Sequence, residues 1–270
     1  MRRASVIPGF GLTLGFTLFY LSLVVLIPLA ALLLRPWSNG LHAFLAILAT
    51  PRVVAALELS FGSAAIAALI NTVFGLLVAW TLTRYRFPFR RVLDALIDLP
   101  FALPTAVAGI ALSALFAEND WLGAPLQRIG VKVAYTPLGI IVALVFIGLP
   151  FVVRTIEPVL SDMSLEAEEA AATLGATRWQ TLRRVVLPSL APALVAGSTL
   201  AFARAVGEYG SVIFIAGNLP MVSEIAPLLI VIRLEEYDYA GASAIGVVML
   251  LTSFAILIAL NALQRWFARH

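Results

Sequence analysis

Apolar runs long enough to cross a membrane recur along this chain, and they constrain its fold more than any other feature. The first, Gly11 to Leu34, holds no charged residue over 24 positions. That exceeds the roughly 7–15-residue apolar core of a cleavable signal peptide, so the run is read as a retained span. Further runs follow at about Leu57–Leu82, Val92–Phe116, Pro137–Val153, Ser189–Ala216 and Ala242–Leu263, each near the about 20 residues that cross a roughly 30 Å hydrocarbon core. The expectation is an all-α membrane protein with six transmembrane helices in one domain covering residues 1–270. Composition agrees: 61% of residues are hydrophobic and 12% charged, against roughly 45–50% and about 25% in soluble domains. The third run is interrupted by Pro100 and Pro104, which predicts a kink packed against neighbouring helices. No repeat, low-complexity tract or Gly/Ser linker suggests a second domain.

The formal charge of +3 and pI near 9.6 would suit a nucleic-acid binder only if the basic residues clustered on a soluble face. They fall instead in short loops between spans. Six spans put both termini on one side. Arg2, Arg3, Arg84, Arg86, Arg90, Arg91, Arg154, Arg178, Arg183, Arg184, Arg265 and Arg269 share it, while Arg35, Arg52, Arg128, Lys132 and Arg233 lie opposite. By the positive-inside rule both termini are cytoplasmic, in contact with lipid and with no nucleic-acid partner expected. The chain has no cysteine, which excludes a disulfide framework, thiolate metal sites and a cysteine nucleophile.

The cytoplasmic loop 161–187 changes from apolar to amphipathic. Ser164–Leu174 is rich in the helix formers Ala, Glu and Leu, and Glu166, Glu168 and Glu169 sit in early turns, where the helix dipole favours them. Gly175 suits a left-handed C-terminal cap. Thr177 followed by Gln180 matches a capping box that opens a second helix. There Trp179, Leu182, Val185 and Val186 make one apolar face, with Arg178, Arg183 and Arg184 polar. Such a helix pair either lies on the bilayer or docks a cytosolic partner. The three glutamates oppose plain binding to an anionic leaflet.

Glu169-Ala170-Ala171, three residues, Gly175, nine residues, then Val185-Val186-Leu187-Pro188 resembles the EAA motif of membrane subunits of ABC importers, with Val185 where isoleucine is commoner. The segments Leu99–Leu112, Thr136–Arg154, Phe202–Asn218 and Ser223–Ala242 are similar to the T-type sulfate/thiosulfate permease subunits, and molybdate permeases share the EAA and GEYG-like regions. The resemblance implies a MetI-like type I ABC importer permease fold in which Glu168, Glu169, Ala170, Ala171, Gly175, Leu187 and Pro188 couple to two separate ABC ATPase subunits. It implies that those partners bind ATP and Mg, with no cofactor or metal in this chain. It also implies a second permease subunit, either a W-type paralogue or a second copy, and a periplasmic sulfate- or thiosulfate-binding protein. The location implied is the bacterial inner membrane.

The chain cannot supply the ATPase itself. A phosphate-binding loop ends in Gly-Lys-Ser/Thr, and the only lysine, Lys132, stands between Val131 and Val133. HExxH and GxSxG patterns are also missing, so an intramembrane enzyme is not expected. An autonomous channel or ion-coupled carrier is the competing class. It would be signalled by a relay of intramembrane carboxylates, and Glu208 is the only deep one.

Arg204 and Glu208 lie four residues apart in the fifth run, each costing about 2.5–3.5 kcal/mol at a helix centre, so both should face the bundle interior. Two readings stay open. The pair either fixes helix packing, or Arg204 makes the path electropositive for a divalent oxyanion while Glu208 restrains it. Gly207, Gly210 and Ser211 permit close backbone approach, and Ser211 joins the pair as a candidate path residue. Glu58 belongs with water at the outer end of the second span. Glu235, Glu236 and Asp238, with Arg233, are candidate contacts for an extracytoplasmic binding protein.

Overall fold

The computed structural model describes residues 9–267. Arg2, Arg3, Arg269 and His270 lie outside the described residues, as does the side chain of Arg265. All regular elements among the described residues are helical. In chain order they are α1 Phe10–Trp37, α2 Gly40–Leu48, α3 Pro51–Arg84, α4 Arg90–Ile97, α5 Leu99–Ala102, α6 Thr105–Leu115, α7 Gly123–Arg128, α8 Pro137–Asp162, α9 Glu166–Thr173, α10 Arg178–Val206, α11 Val212–Ile215, α12 Ala226–Glu235 and α13 Tyr239–Phe267.

Three long helices, α3, α8 and α10, pack together as the core. On α3 the buried residues Val53, Ala56, Ser60, Ala64, Ala67, Asn71, Gly75, Ala79 and Leu82 recur every three or four positions, which aligns them on one face. The face is mostly small because the helices approach closely: a Cβ on Gly75 would stand 2.7 Å from a Val152 methyl, and one on Gly197 3.1 Å from the Val152 Cα. In a bilayer, where lipid is as apolar as leucine, such close packing is what holds helices together.

The first span is built differently. Of its apolar window nothing is buried, and it leans on α13, where Leu32 approaches Gly246 and the Arg35 guanidinium lies 4.9 Å above the Tyr239 ring. A water-filled surrounding would make this exposure costly, while lipid does not.

Two expected spans are corrected. The run 92–116 is three pieces, α4, α5 and α6, broken around Pro100 and Pro104. Leu103 and Pro104 have extended ψ values of 135° and 132°, because the ring of a proline disfavours helical geometry in the residue before it and removes a ladder hydrogen bond. The expected run 189–216 starts earlier and stops earlier: α10 begins at Arg178 and ends at Val206. Pro188 does not start a new helix, because a π-helical turn at Leu182–Val186 precedes it. The same arrangement recurs in α1, where the π turn Ser22–Leu26 precedes Pro28. Widening the ladder one turn before a proline accommodates a ring that would otherwise strike the carbonyl four residues back. In the connector between α6 and α8, Lys132 stands 2.6 Å from Glu118, and its hydrogen bond holds the Glu118 carboxyl below its usual range.

Candidate coupling loop and translocation path

The loop after α8 adopts the expected helix, glycine turn, helix. Glu166, Glu168 and Glu169 fill the first turn of α9. Gly175 ends it at φ +81°, with Ala176 N–H donating to the Ala171 carbonyl at 3.0 Å, the six-to-one bond of a Schellman cap. Thr177 Oγ1 accepts from Gln180 N–H while the Gln180 side chain accepts from Thr177 N–H at 2.8 Å, a complete capping box. Glu169 and Ala170 are exposed, Ala171 is half-buried, and Leu174 and Trp179 project outward. Trp179 therefore leaves the apolar face expected of it: Val186 alone is buried, with Leu182 and Val185 half-covered. Leu187 is half-buried and Pro188 exposed.

Glu168 has a partner that sequence spacing did not indicate. Its carboxylate receives Arg84 at 2.6 Å, and the Arg84 guanidinium lies 5.5 Å from the Trp80 ring. The C-terminal end of α3 is thereby tied to α9.

The two interrupted spans meet at their interruptions. A Cβ on Gly109 of α6 would strike the Ser211 backbone, and one on Gly210 would strike Thr105 Oγ1. Ser113 Oγ donates to the Tyr135 hydroxyl at 3.1 Å, and Tyr135 N–H to the Ile215 carbonyl at 2.7 Å. In transporters, non-helical backbone at membrane depth persists where protein or a polar cavity covers it, and broken helices frame substrate sites.

Glu208 organises the break after α10. It is 3% exposed. Its Oε2 meets Arg204 Nη1 at 2.5 Å, and its Oε1 accepts from Ser211 N–H at 2.9 Å and Ser211 Oγ at 3.1 Å. The carboxylate thus replaces backbone partners that the helix would have supplied. Arg204 keeps a third of its side chain exposed and sits in the last turn of α10, where the dipole favours a cation. Glu208 borders a small cavity shared with Ser60 and Ser63. Ser60 is about 20 residues from Trp80, roughly 30 Å along the helix, which places the pair far along the bundle from the Trp80 end of α3. Arg204, Glu208 and Ser211 are brought together, and the residues expected to couple form a separate group at the other end of α10.

Three further polar groups lay beyond the sequence reading. Arg154 uses all five N–H donors: Nε and Nη2 bind Asp98, Nη1 binds Asp94 at 2.8 Å and Glu157 at 2.6 Å, and Nη2 also reaches the Asp94 carbonyl. This fork clamps α4 and α5 to α8, a task lysine cannot perform. The spacing of Asp94 and Asp98, one helical turn apart at an apolar entrance, was the available signal. Arg52 binds Glu224 in a bidentate pair at 2.6 and 2.7 Å, across 172 residues and without any local signal. Asn71 is buried, its amide without a partner, against Gly148. Arg233 pairs with Asp238 at 3.3 Å and Glu236 at 3.6 Å, and Glu58 is exposed.

Residues 71–270 match the family model for the binding-protein-dependent transport system inner membrane component. The chain is 52% identical over 265 residues to the sulfate transport system permease protein CysT of Escherichia coli (strain K12), covering 98% of this chain and 96% of that protein. It is 51% identical over 255 residues to the protein of the same name in Synechococcus elongatus, covering 94% and 92%. Among solved structures it is similar to a bacterial ABC transporter that imports the acidic polysaccharide alginate, with TM-score 0.77 and 15% identity over 94% of this chain and 93% of that one. It is also similar to the inward-facing MetNI methionine transporter, with TM-score 0.61 and 18% identity over 80% and 95%. At these identities the structural likeness concerns the fold, which is the MetI-like permease fold.

Proposed function

The chain belongs to the family of inner-membrane components of binding-protein-dependent transport systems, and from that premise we propose that it is a permease subunit of an ATP-driven sulfate importer. It forms half of the translocation path and couples that path to ATP hydrolysed on a separate subunit. The observation that carries the reading is identity near 50% to sulfate permease proteins over almost the whole chain, joined to a loop that presents the EAA residues outward. An autonomous channel or carrier has no use for that loop. Glu169, Ala170 and the exposed Leu174 face a groove of an ATPase subunit that holds ATP and Mg. Arg84 braces the coupling helix through Glu168. Gly175, Leu187 and Pro188 fix where the loop turns back into the membrane.

The second half of the path comes from another permease chain, a W-type paralogue or a second copy, and a periplasmic sulfate- or thiosulfate-binding protein delivers the anion. Thiosulfate carries the same charge and fits the same positive path. Arg204, restrained by Glu208 and Ser211, is the cation in that path. The test is uptake of radiolabelled sulfate by the reconstituted complex, with molybdate as competitor. Sulfate uptake that depends on ATP and resists excess molybdate supports the reading, and uptake of molybdate in preference to sulfate overturns it.

Both termini lie in the cytoplasm. Reporter fusions after Arg91 and after Trp121 should report cytoplasm and periplasm respectively, and the reverse pattern would invert the topology. Gly175→Val tests the loop. A Cβ there meets nothing within 4 Å, so the cost is conformational, roughly 1–2 kcal/mol for a branched residue in the left-handed region. The expected outcome is normal membrane insertion with about 5–30-fold weaker ATPase association, read by copurification at graded salt. Unchanged association would detach the glycine turn from docking.

A further inference from the structure

Between α3 and the coupling loop lies a cleft of about 610 Å³, within the roughly 300–1,000 Å³ range of small-molecule sites. We propose that it binds a phospholipid of the cytoplasmic leaflet, one acyl chain lying between Leu77 and Val186 and the phosphate meeting Arg178. The proposal rests on the coupling loop being cytoplasmic, as argued above.

The depth of the cleft points to lipid. Trp80 and Arg84 mark the headgroup level on α3, where tryptophan is enriched. Leu76 and Leu77 lie one turn deeper, and Leu77 is 57% exposed, so the cleft opens sideways at the level of acyl chains. Its far wall is Leu182, Val186 and Leu187. Apart from Ala176 the walls are helical, so most of their backbone groups are already paired. An extended peptide would leave its own N–H and C=O groups unmatched, whereas an acyl chain has none to satisfy.

The charges point to a phosphate. Two ionised side chains line the cleft, Glu168 and Arg178. Glu168 is neutralised by Arg84 at 2.6 Å. Arg178 is exposed and has no carboxylate partner among the described residues. The unmatched charge at the mouth is therefore positive, and guanidinium suits a phosphate fork. A lipid held there touches α3 and the loop at once, so it sets the angle between the coupling helix and the core. That makes coupling sensitive to the bilayer.

The experiment uses the assembled transporter in nanodiscs that contain a phospholipid with a photoactivatable diazirine on its acyl chain, and maps adducts by peptide mass spectrometry. Adducts are expected on the Ala172–Val186 stretch as well as on the lipid-facing spans. Arg178→Gln, and independently Leu77→Trp, which fills the cleft, should each lower the loop adducts at least five-fold while leaving those on α1 unchanged. Absence of loop adducts, loop adducts indifferent to both variants, or cross-links from the cleft only to protein would each overturn the proposal. Copurification of the ATPase from the same samples reports the docking reading separately. A bound ATPase with no loop adducts defeats the lipid site alone, and loop adducts without a bound ATPase defeat only the docking.

Discussion

Arg52→Met should release the start of α3 and the connector it holds at markedly lower temperature than in the unaltered chain. Glu224 has 1% of its side chain exposed, and both its oxygens are held by the Arg52 guanidinium. Removing one partner of a fully buried ion pair costs about 3–5 kcal/mol, and the loss here is smaller because the Arg52 side chain is 37% exposed and its removal lets solvent reach Glu224. The damage has a place. Glu224 lies in the 216–225 connector, where Ser223 Oγ accepts from Leu219 N–H, and the first amide of α12, Ala226 N–H, donates to Ser60 Oγ at 2.8 Å. The connector and the start of α12 are thereby fastened to α3, and Arg52 is the fastener at its mouth. Arg52→Lys should fall between, because a point charge cannot make the two parallel bonds. Arg52→Met/Glu224→Leu should recover much of the loss. The measurement is thermal denaturation of the purified complex for the three variants. If Arg52→Met alone is as stable as the unaltered chain, the pair does not hold the connector.

Most of the bundle was legible because lipid imposes one rule everywhere: a segment must be apolar and satisfy its own backbone. The second, fourth and sixth runs reappear as helices that extend the expected ranges by a few residues at most ends, α8 running furthest, to Asp162. The loop was legible for another reason. Capping depends on two or three adjacent residues, so Thr177, Gln180 and Gly175 declare themselves locally.

What failed has two sources, local devices that hydropathy averages over and partners distant in sequence. Ending the fifth run at Ala216 followed from the apolar Val212–Ala216, yet α10 stops at Val206 because Glu208 turns back onto Ser211. The flanking glycines at 207 and 210 were the available hint. Pro188 looked like a boundary, and a π turn carries the helix through it. Arg154 and Arg52 were counted as loop charges that orient the chain. Each instead closes a polar cluster assembled from elements 56 to 172 residues apart, which hydropathy has no means to register.

The Arg204–Glu208 pair separates a structural role from a transport role through a set of substitutions. Arg204→Met strands a carboxylate that is 2% exposed, so subunit stability should fall by about 3–5 kcal/mol and uptake with it. Glu208→Leu adds a second injury, since the Ser211 N–H and hydroxyl lose their acceptor, each worth about 1–3 kcal/mol when buried. Arg204→Met/Glu208→Gln removes both charges and keeps a carbonyl that accepts from Ser211, leaving only the glutamine NH2 unmatched beside the methionine, at about 1–3 kcal/mol. If the pair only fixes the break after α10, this double variant should be stable and transport sulfate near normally. If Arg204 supplies the positive field that draws a divalent anion inward, the double variant should fold and yet take up sulfate poorly, because a neutral path no longer concentrates the anion. We expect the second pattern. The Arg204 side chain is 34% open, so an anion can reach it, and the residue stands at the meeting of two interrupted spans. Thermal stability and sulfate uptake, measured at matched expression for the two single variants and the double, decide between them. A stable double variant with near-normal uptake would remove Arg204 from the transport path.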